Sequence, residues 1–319
     1  IHGLLPSNTF ATVILPPYWT DAVGQPRYPV VVSSNYDVID NLFGPNADLD
    51  WNAGQLINWV ANSALGGPGF KGAIGVVWNG GASQSSVTSN PAARVQFADV
   101  INMVYANVNA DRNKIVMGGA SRGGVATLMM ASNPENYAYK ISYALAANPG
   151  TRLGLSTELI SATLAKQLEI GWPSIGFRNA WLPSFLYPAW GVASMANRPS
   201  AEAMRVLISG DPSITNNDTD HSPIGNKFIY GSVPGGGLLG QGTQVVLVMG
   251  SHDEYVPFGT KVEYLNALRG AGVPTEAHII ARGGHTSPPG HFVKLYYALR
   301  SYFDPAAPVS WRQAASGTA

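Results

Sequence analysis

Gly119-Ala120-Ser121-Arg122-Gly123 constrains this chain more than any other stretch, because of what flanks it. An apolar run from Lys114 to Met117 precedes it, and small residues and methionines fill Ser121 to Ser132 after it. The spacing predicts a buried strand followed by a helix. Glycines around the serine permit a turn too sharp for larger residues. Such a turn lifts the hydroxyl above a sheet and aims the first amides of the next helix at negative charge developing beside it. Gly118 and Gly124 extend this shell of small residues. A Gly/Ser-rich chain can produce the pentapeptide by chance, so its weight comes from the strand-turn-helix context.

The rest of the chain repeats that alternation. Thr9 to Leu15 and Tyr28-Pro-Val-Val-Val32 read as strands, and Asp48 to Leu65, with cap candidates Asn46 and Asp48, reads as a helix. A strand at Ala73 to Trp78, a polar loop from Asn79 to Asn90 and a helix from Pro91 to about Val108 follow. Ile141 to Ala147 is a further strand. Later come a strand at Gln244 to Met249, a helix at Gly259 to Arg269, a strand at Thr275 to Ala281 and a helix at His291 to Phe303. Continuous apolar strands alternating with helices imply an α/β protein with a mainly parallel central sheet covered on both faces. Between Asn148 and Gly242 the alternation fails. Helical stretches at Thr157 to Leu168 and Ala201 to Ser209 are mixed with Trp172, Phe177, Trp181, Phe185, Tyr187 and Trp190, which reads as an inserted, largely helical cap. The expected division is a catalytic domain of residues 1–147 and 243–319, with a cap or lid at 148–242.

Composition narrows the partners. Lys plus Arg equal Asp plus Glu at 19 each, so no excess charge draws the chain to nucleic acid or to an anionic membrane. No window reaches the roughly 20 apolar residues of a membrane-spanning helix. Charged residues are 12% of the chain, about half the usual share, which suits an exported enzyme and a neutral or apolar substrate. An Ile1 start without Met fits a mature form freed of a signal peptide, as it would a chain shortened by other means, and the expected location is secreted or periplasmic. There are no cysteines, which excludes disulfides, thiol catalysis and thiolate metal sites.

A serine hydroxyl needs a base to take its proton, and histidine titrates near the working pH. Of six histidines, His285 lies in Arg282-Gly-Gly-His-Thr286, a glycine-softened loop between the last strand and the last helix. His291 belongs to a helix start, His278 to an apolar strand, and His2 and His221 to irregular contexts. To orient the base, Asp253 emerges after the strand Gln244 to Met249, at the strand's carboxyl end, where open parallel sheets hold ligands. Glu254 is the rival carboxylate, and either acid could instead be a solvated loop residue or a helix cap. His252 beside Asp253, without further spaced ligands, is thin support for a metal. For the oxyanion, one amide belongs to Arg122 and a second to the loop Ser33-Ser34-Asn35-Tyr36, where Asn35 or Tyr36 could supply a backbone amide, or Tyr36 its hydroxyl. The same four residues could also be an ordinary turn.

On three stretches the chain resembles the α/β-hydrolase superfamily, and more narrowly secreted esterases and depolymerases near feruloyl esterases and prolyl-oligopeptidase-like hydrolases. They are Val13-Ile-Leu-Pro-Pro-Tyr18 with Tyr28 to Val32, then Gly119 to Gly123, then Gly250 to Pro257 with His285. The resemblance covers about residues 9 to 147 and 243 to 304, and that loop lacks the His-Gly pair common in the superfamily. It implies an α/β-hydrolase fold, a Ser121, Asp253, His285 triad and a small-molecule or polymeric ester, amide or activated carbon–carbon acyl substrate, with no cofactor and no metal. The leading expectation is a serine esterase. A peptidase or diketone hydrolase on the same triad, and a non-catalytic binding protein on this scaffold, are the alternatives. The cap aromatics either fill a core of their own or, at Trp172, Trp181 and Trp190, line a pocket above Ser121.

Overall fold

The structure is a computed structural model and describes residues 2–4, 10–16, 19–21, 27–34, 72–78, 91–152, 222–253 and 256–285. The helices expected at 48–65, 157–168, 201–209 and 291–303 lie outside these residues. Among the described residues eight strands form one sheet: β1 His2–Leu4, β2 Phe10–Ile14, β3 Tyr28–Ser34, β4 Ile74–Trp78, β5 Ala110–Ala120, β6 Tyr143–Ala147, β7 Gln244–Gly250 and β8 Thr275–Ile280. Their order is β1-β2-β4-β3-β5-β6-β7-β8. The first two strands join antiparallel, and every pairing from β4 through to β8 is parallel. The α/β class and the mainly parallel sheet expected from the sequence are thus observed.

The helices among the described residues are α1 Pro91–Asn107, α2 Arg122–Ser132, α3 Asn226–Tyr230, α4 Gly237–Gln241 and α5 Phe258–Ala271. Helix α1 presents Phe97, Val100, Ile101 and Val104 at helical spacing, and all four are buried. Phe97 meets Trp78 of β4 edge-on, with ring centroids 5.1 Å apart, and Tyr139 on its other side at 4.9 Å. Such pairs add roughly 0.5–1.5 kcal/mol each beyond their burial. Strands β6 and β7 are buried along almost their whole length, as continuous apolar strands covered on both faces must be.

Strand β5 runs four residues further towards its start than the apolar run Lys114 to Met117 suggested. Tyr28 pairs with Ala110 and Val30 with Ile115, so extra β5 residues bulge out between them. Asp111, Arg112, Asn113 and Lys114 stand against the single Pro29, and the Asp111 carboxylate accepts the Asn113 N–H at 3.0 Å. Residues 222–242 fell within the span read as an insertion. Here they pack onto the sheet domain, with Phe228, Ile229 and Leu238 in its apolar core. Arg94 of α1 secures them: it forms a two-pronged ion pair with Glu135, 2.6 Å at each prong, and its guanidinium lies 5.8 Å from the Phe228 ring centre.

The switch in strand order falls at β3, with β4 on one side and β5 on the other, and crevices at such points are where open α/β sheets bind ligands. Helix α2 starts there, one residue after β5 ends. A Cβ added to Gly119 would stand 2.5 Å from the Gly123 carbonyl carbon and oxygen, so strand and helix touch backbone to backbone. Gly119→Ala is therefore expected to lower unfolding free energy by about 1–3 kcal/mol through overpacking, read as a lower urea midpoint. An unchanged midpoint would mean that α2 can move off β5 freely.

Candidate active site

Ser121 occupies the single residue between β5 and α2 and is bent to φ 54°, ψ −122°. No non-glycine residue adopts that conformation without strain, typically about 1–3 kcal/mol. The strain is offset locally: Ser121 N–H donates to the Ala147 carbonyl of β6 at 2.8 Å, and its own carbonyl accepts the Val125 N–H at 3.1 Å, starting the helix. The hydroxyl is left to project, partly exposed, from the carboxyl end of the sheet. Because the Ser121 amide is committed to β6, the amide of Arg122 is the next donor. As the first residue of α2 it has no carbonyl within the helix to bind.

Two loops bring the other groups to this hydroxyl. After β8, the chain turns through Arg282 at φ 56° and through Gly283 and Gly284 to deliver His285. His285 Nε2 lies 2.8 Å from Ser121 Oγ. Its Nδ1 lies 2.9 Å and 3.0 Å from the two carboxylate oxygens of Asp253, which follows β7. The Asp253 side chain is fully buried and that of His285 is 9% exposed. Asp253 Oδ1 also accepts the Val256 N–H at 2.9 Å.

These loops are held to each other and to β6. His252 N–H donates to the Gly283 carbonyl at 2.9 Å, Ser251 N–H to the Ile280 carbonyl at 3.1 Å, and the Ser251 hydroxyl accepts the Arg282 N–H at 2.9 Å. Gly250 faces the same loop so closely that a Cβ would stand 2.8 Å from the Gly284 carbonyl oxygen. Asn148, just past β6 at φ 43°, completes the joint. Its amide donates to the carbonyls of Gly284 at 3.2 Å and His285 at 3.0 Å. Its oxygen accepts the Gly250 N–H at 2.7 Å and Lys261 Nζ at 3.0 Å. Asparagine tolerates the left-handed conformation, and all four bonding positions of its amide group are used.

Lys261 of α5 is fully buried and reaches Asp253 Oδ2 at 2.7 Å. Neither Asn148 nor Lys261 was singled out from the sequence. A signal existed for the lysine: Lys261, Tyr264, Leu265 and Leu268 repeat at the spacing of a buried helix face, leaving a cation at a core position. The other histidines are elsewhere. His278 lies on β8 with Nε2 3.1 Å from a Glu276 oxygen, and His252 is exposed with Nδ1 2.9 Å from the Ser251 hydroxyl. Glu254, His221, His291, Asn35, Tyr36, Trp172, Trp181 and Trp190 lie outside the described residues. Among the described residues no group of three or more His, Asp or Glu could hold a metal ion, and no helix is long and apolar enough to cross a membrane.

Burial pushes the Asp253 pKa up, but the hydrogen bonds and charge of His285, the Lys261 ammonium and the Val256 N–H outweigh it and hold the carboxyl at about 2. Lowered from 3.8, it contributes on the order of 1–2 kcal/mol to stability. That contribution is present above the unfolded value and lost as pH falls through the folded one. The gap in urea midpoint between wild type and Asp253→Asn should therefore narrow as pH drops from about 4 towards about 2. A gap constant across that window would contradict this.

Carboxyl esterase 2 from the mycorrhizal fungus Tuber melanosporum superposes with a TM-score of 0.58 at 11% identity, over 95% of this chain and 85% of that one. The Pyrobaculum calidifontis esterase gives 0.54 at 16% identity, over 99% and 85%. The Pyrococcus horikoshii acylaminoacyl peptidase gives 0.52 at 14% identity, over 95% of this chain and 41% of that one. This chain spans about two-fifths of the length of the acylaminoacyl peptidases it matches. No protein-family model and no curated protein matches the sequence. The likeness establishes the fold: this is an α/β-hydrolase fold.

Proposed function

We propose that the chain is a serine hydrolase acting on carboxylic esters of a neutral, apolar or aromatic, possibly polymeric, substrate. The observation that carries this reading is the unbroken chain from Ser121 Oγ through His285 to a buried, ionised Asp253, set on a strained turn at the ligand-binding end of the sheet. Ser121 Oγ attacks the ester carbonyl carbon while its proton passes to His285 Nε2. The resulting oxyanion is held by the Arg122 amide and by a second donor from the loop after β3, for which Asn35 and Tyr36 are the candidates. Asp253 fixes the imidazole tautomer and stabilises its charged form without taking the proton. His285 then protonates the leaving alkoxide, giving an acyl-enzyme. Water, deprotonated by His285, attacks the acyl carbon, and collapse of that intermediate returns the proton to Ser121 and releases the acid.

Trp172, Trp181 and Trp190 are proposed to line the acyl pocket. The balanced, sparse charge of the chain supports both a neutral substrate and an exported enzyme. In this reading a fluorophosphonate adds once, to Ser121. Ser121→Ala loses the adduct and at least about 10⁴-fold in kcat/KM while keeping the wild-type unfolding midpoint. Undiminished turnover in that variant would overturn the assignment, and a folded wild type that takes no adduct would favour a binding protein on the same scaffold.

A peptidase would use the same three residues, and the sparse charge of 148–242 offers few anchors for a peptide terminus. The ester of an acyl series is therefore expected to turn over faster than the matched amide or diketone. A preference for the aminoacyl amide would move the enzyme to the peptidases.

A further inference from the structure

Lys261 has no part in the reaction as written, yet a fully buried ammonium is too costly to place beside a carboxylate without consequence. Among the described residues its Nζ has three acceptors: Asp253 Oδ2 at 2.7 Å, Asn148 Oδ1 at 3.0 Å and the Gly250 carbonyl at 3.3 Å. Three acceptors match the three N–H donors of an ammonium, whereas a neutral amine would turn a lone pair towards one of them. The cation thus stands behind Asp253, on the carboxylate oxygen that also faces His285 Nδ1. Through Asn148 it is also tied to the backbone of the His285 loop.

We propose that Lys261 is a positioning residue for the base. It fixes the Asp253 carboxylate against His285 and so holds the imidazole in the one orientation that faces Ser121 Oγ. The proposal rests on the serine-hydrolase reading. On the surrounding elements the charged or titratable groups among the described residues are Asp253 and His252 after β7, and Glu276, His278, Arg282 and His285 on and after β8. Arg152 follows β6 and pairs with Glu263 at the surface, and Tyr264 lies on α5. Asp253 is in contact with Lys261 Nζ, and His285 lies across that carboxylate. Without the ammonium, the carboxylate loses one of the bonds that hold it against the imidazole.

The test compares wild type, Lys261→Met, Asp253→Asn and the double variant, each with active sites counted by fluorophosphonate titration. Lys261→Met is expected to lower kcat about 10–100-fold per titrated site with KM within about threefold. In the Asp253→Asn background the same substitution should cost less than about threefold, because the carboxylate through which it acts is gone. Should Lys261→Met fail to fold, Lys261→Gln carries the comparison, since its amide can still donate to Asp253 without the charge. A lowered melting temperature with unchanged kcat per site would reduce Lys261 to a structural ion pair and overturn the proposal, as would full additivity with Asp253→Asn. If wild type takes no adduct at Ser121, it is the hydrolase reading that fails.

Discussion

The structure depends on one constraint: a helix must leave a central strand within a single residue. Ser121 makes that turn in a conformation costly for any side chain, and the surrounding composition follows from keeping it there. Gly119 and Gly123 must touch, Gly124 must admit the Ala147 carbonyl, and β6 must pass close enough for Ala147 to accept the Ser121 amide. The alanines of β6 and the small residues opening α2 are thus matters of distance. Burial of Val125 to Met130 along α2 supplies the apolar stabilisation that holds the strained turn against relaxation.

A second demand is that the groups facing Ser121 arrive from strands whose ends are not otherwise joined. A buried polar cluster meets it, with Asn148, Asp253, Lys261 and the Gly250 and His285 backbones bonded to one another. Such a cluster adds little net stability compared with apolar packing, because both charges are stripped of water. What it gives is geometry: each member's bonding capacity is filled by the others, so displacing one leaves a buried group unmet. That makes it suited to hold a histidine in one orientation.

Much of this was legible in the sequence. Ser121 could be found because its glycines and flanking strand and helix are all local, and Asp253 and His285 because each follows an apolar strand in an order the fold dictates. The apolar strands appeared within a residue or two, apart from β5, whose polar Asp111 to Lys114 bulge breaks the pattern that a strand is recognised by. Lys261 and Asn148 escaped because their meaning lies in partners over a hundred residues away for Asn148 and in a burial that charge argues against. Residues 222–242 escaped because glycines and short helices carry little periodicity; what ties them to the sheet is Arg94, Glu135 and Phe228, groups from three distant segments.

The span of those contacts bears on how the protein reaches its working state. Ser121 and His285 are 164 positions apart, and Asn148 and His285 are 137. Closing such loops is among the slowest events in folding, since chain entropy is lost before any contact repays it. The loop that carries His285 to Ser121 leaves β8, so their hydrogen bond is best supported once β8 is paired with β7. During refolding, the gain of a reactive serine would report the docking of β8, the outermost described strand on that side of the sheet.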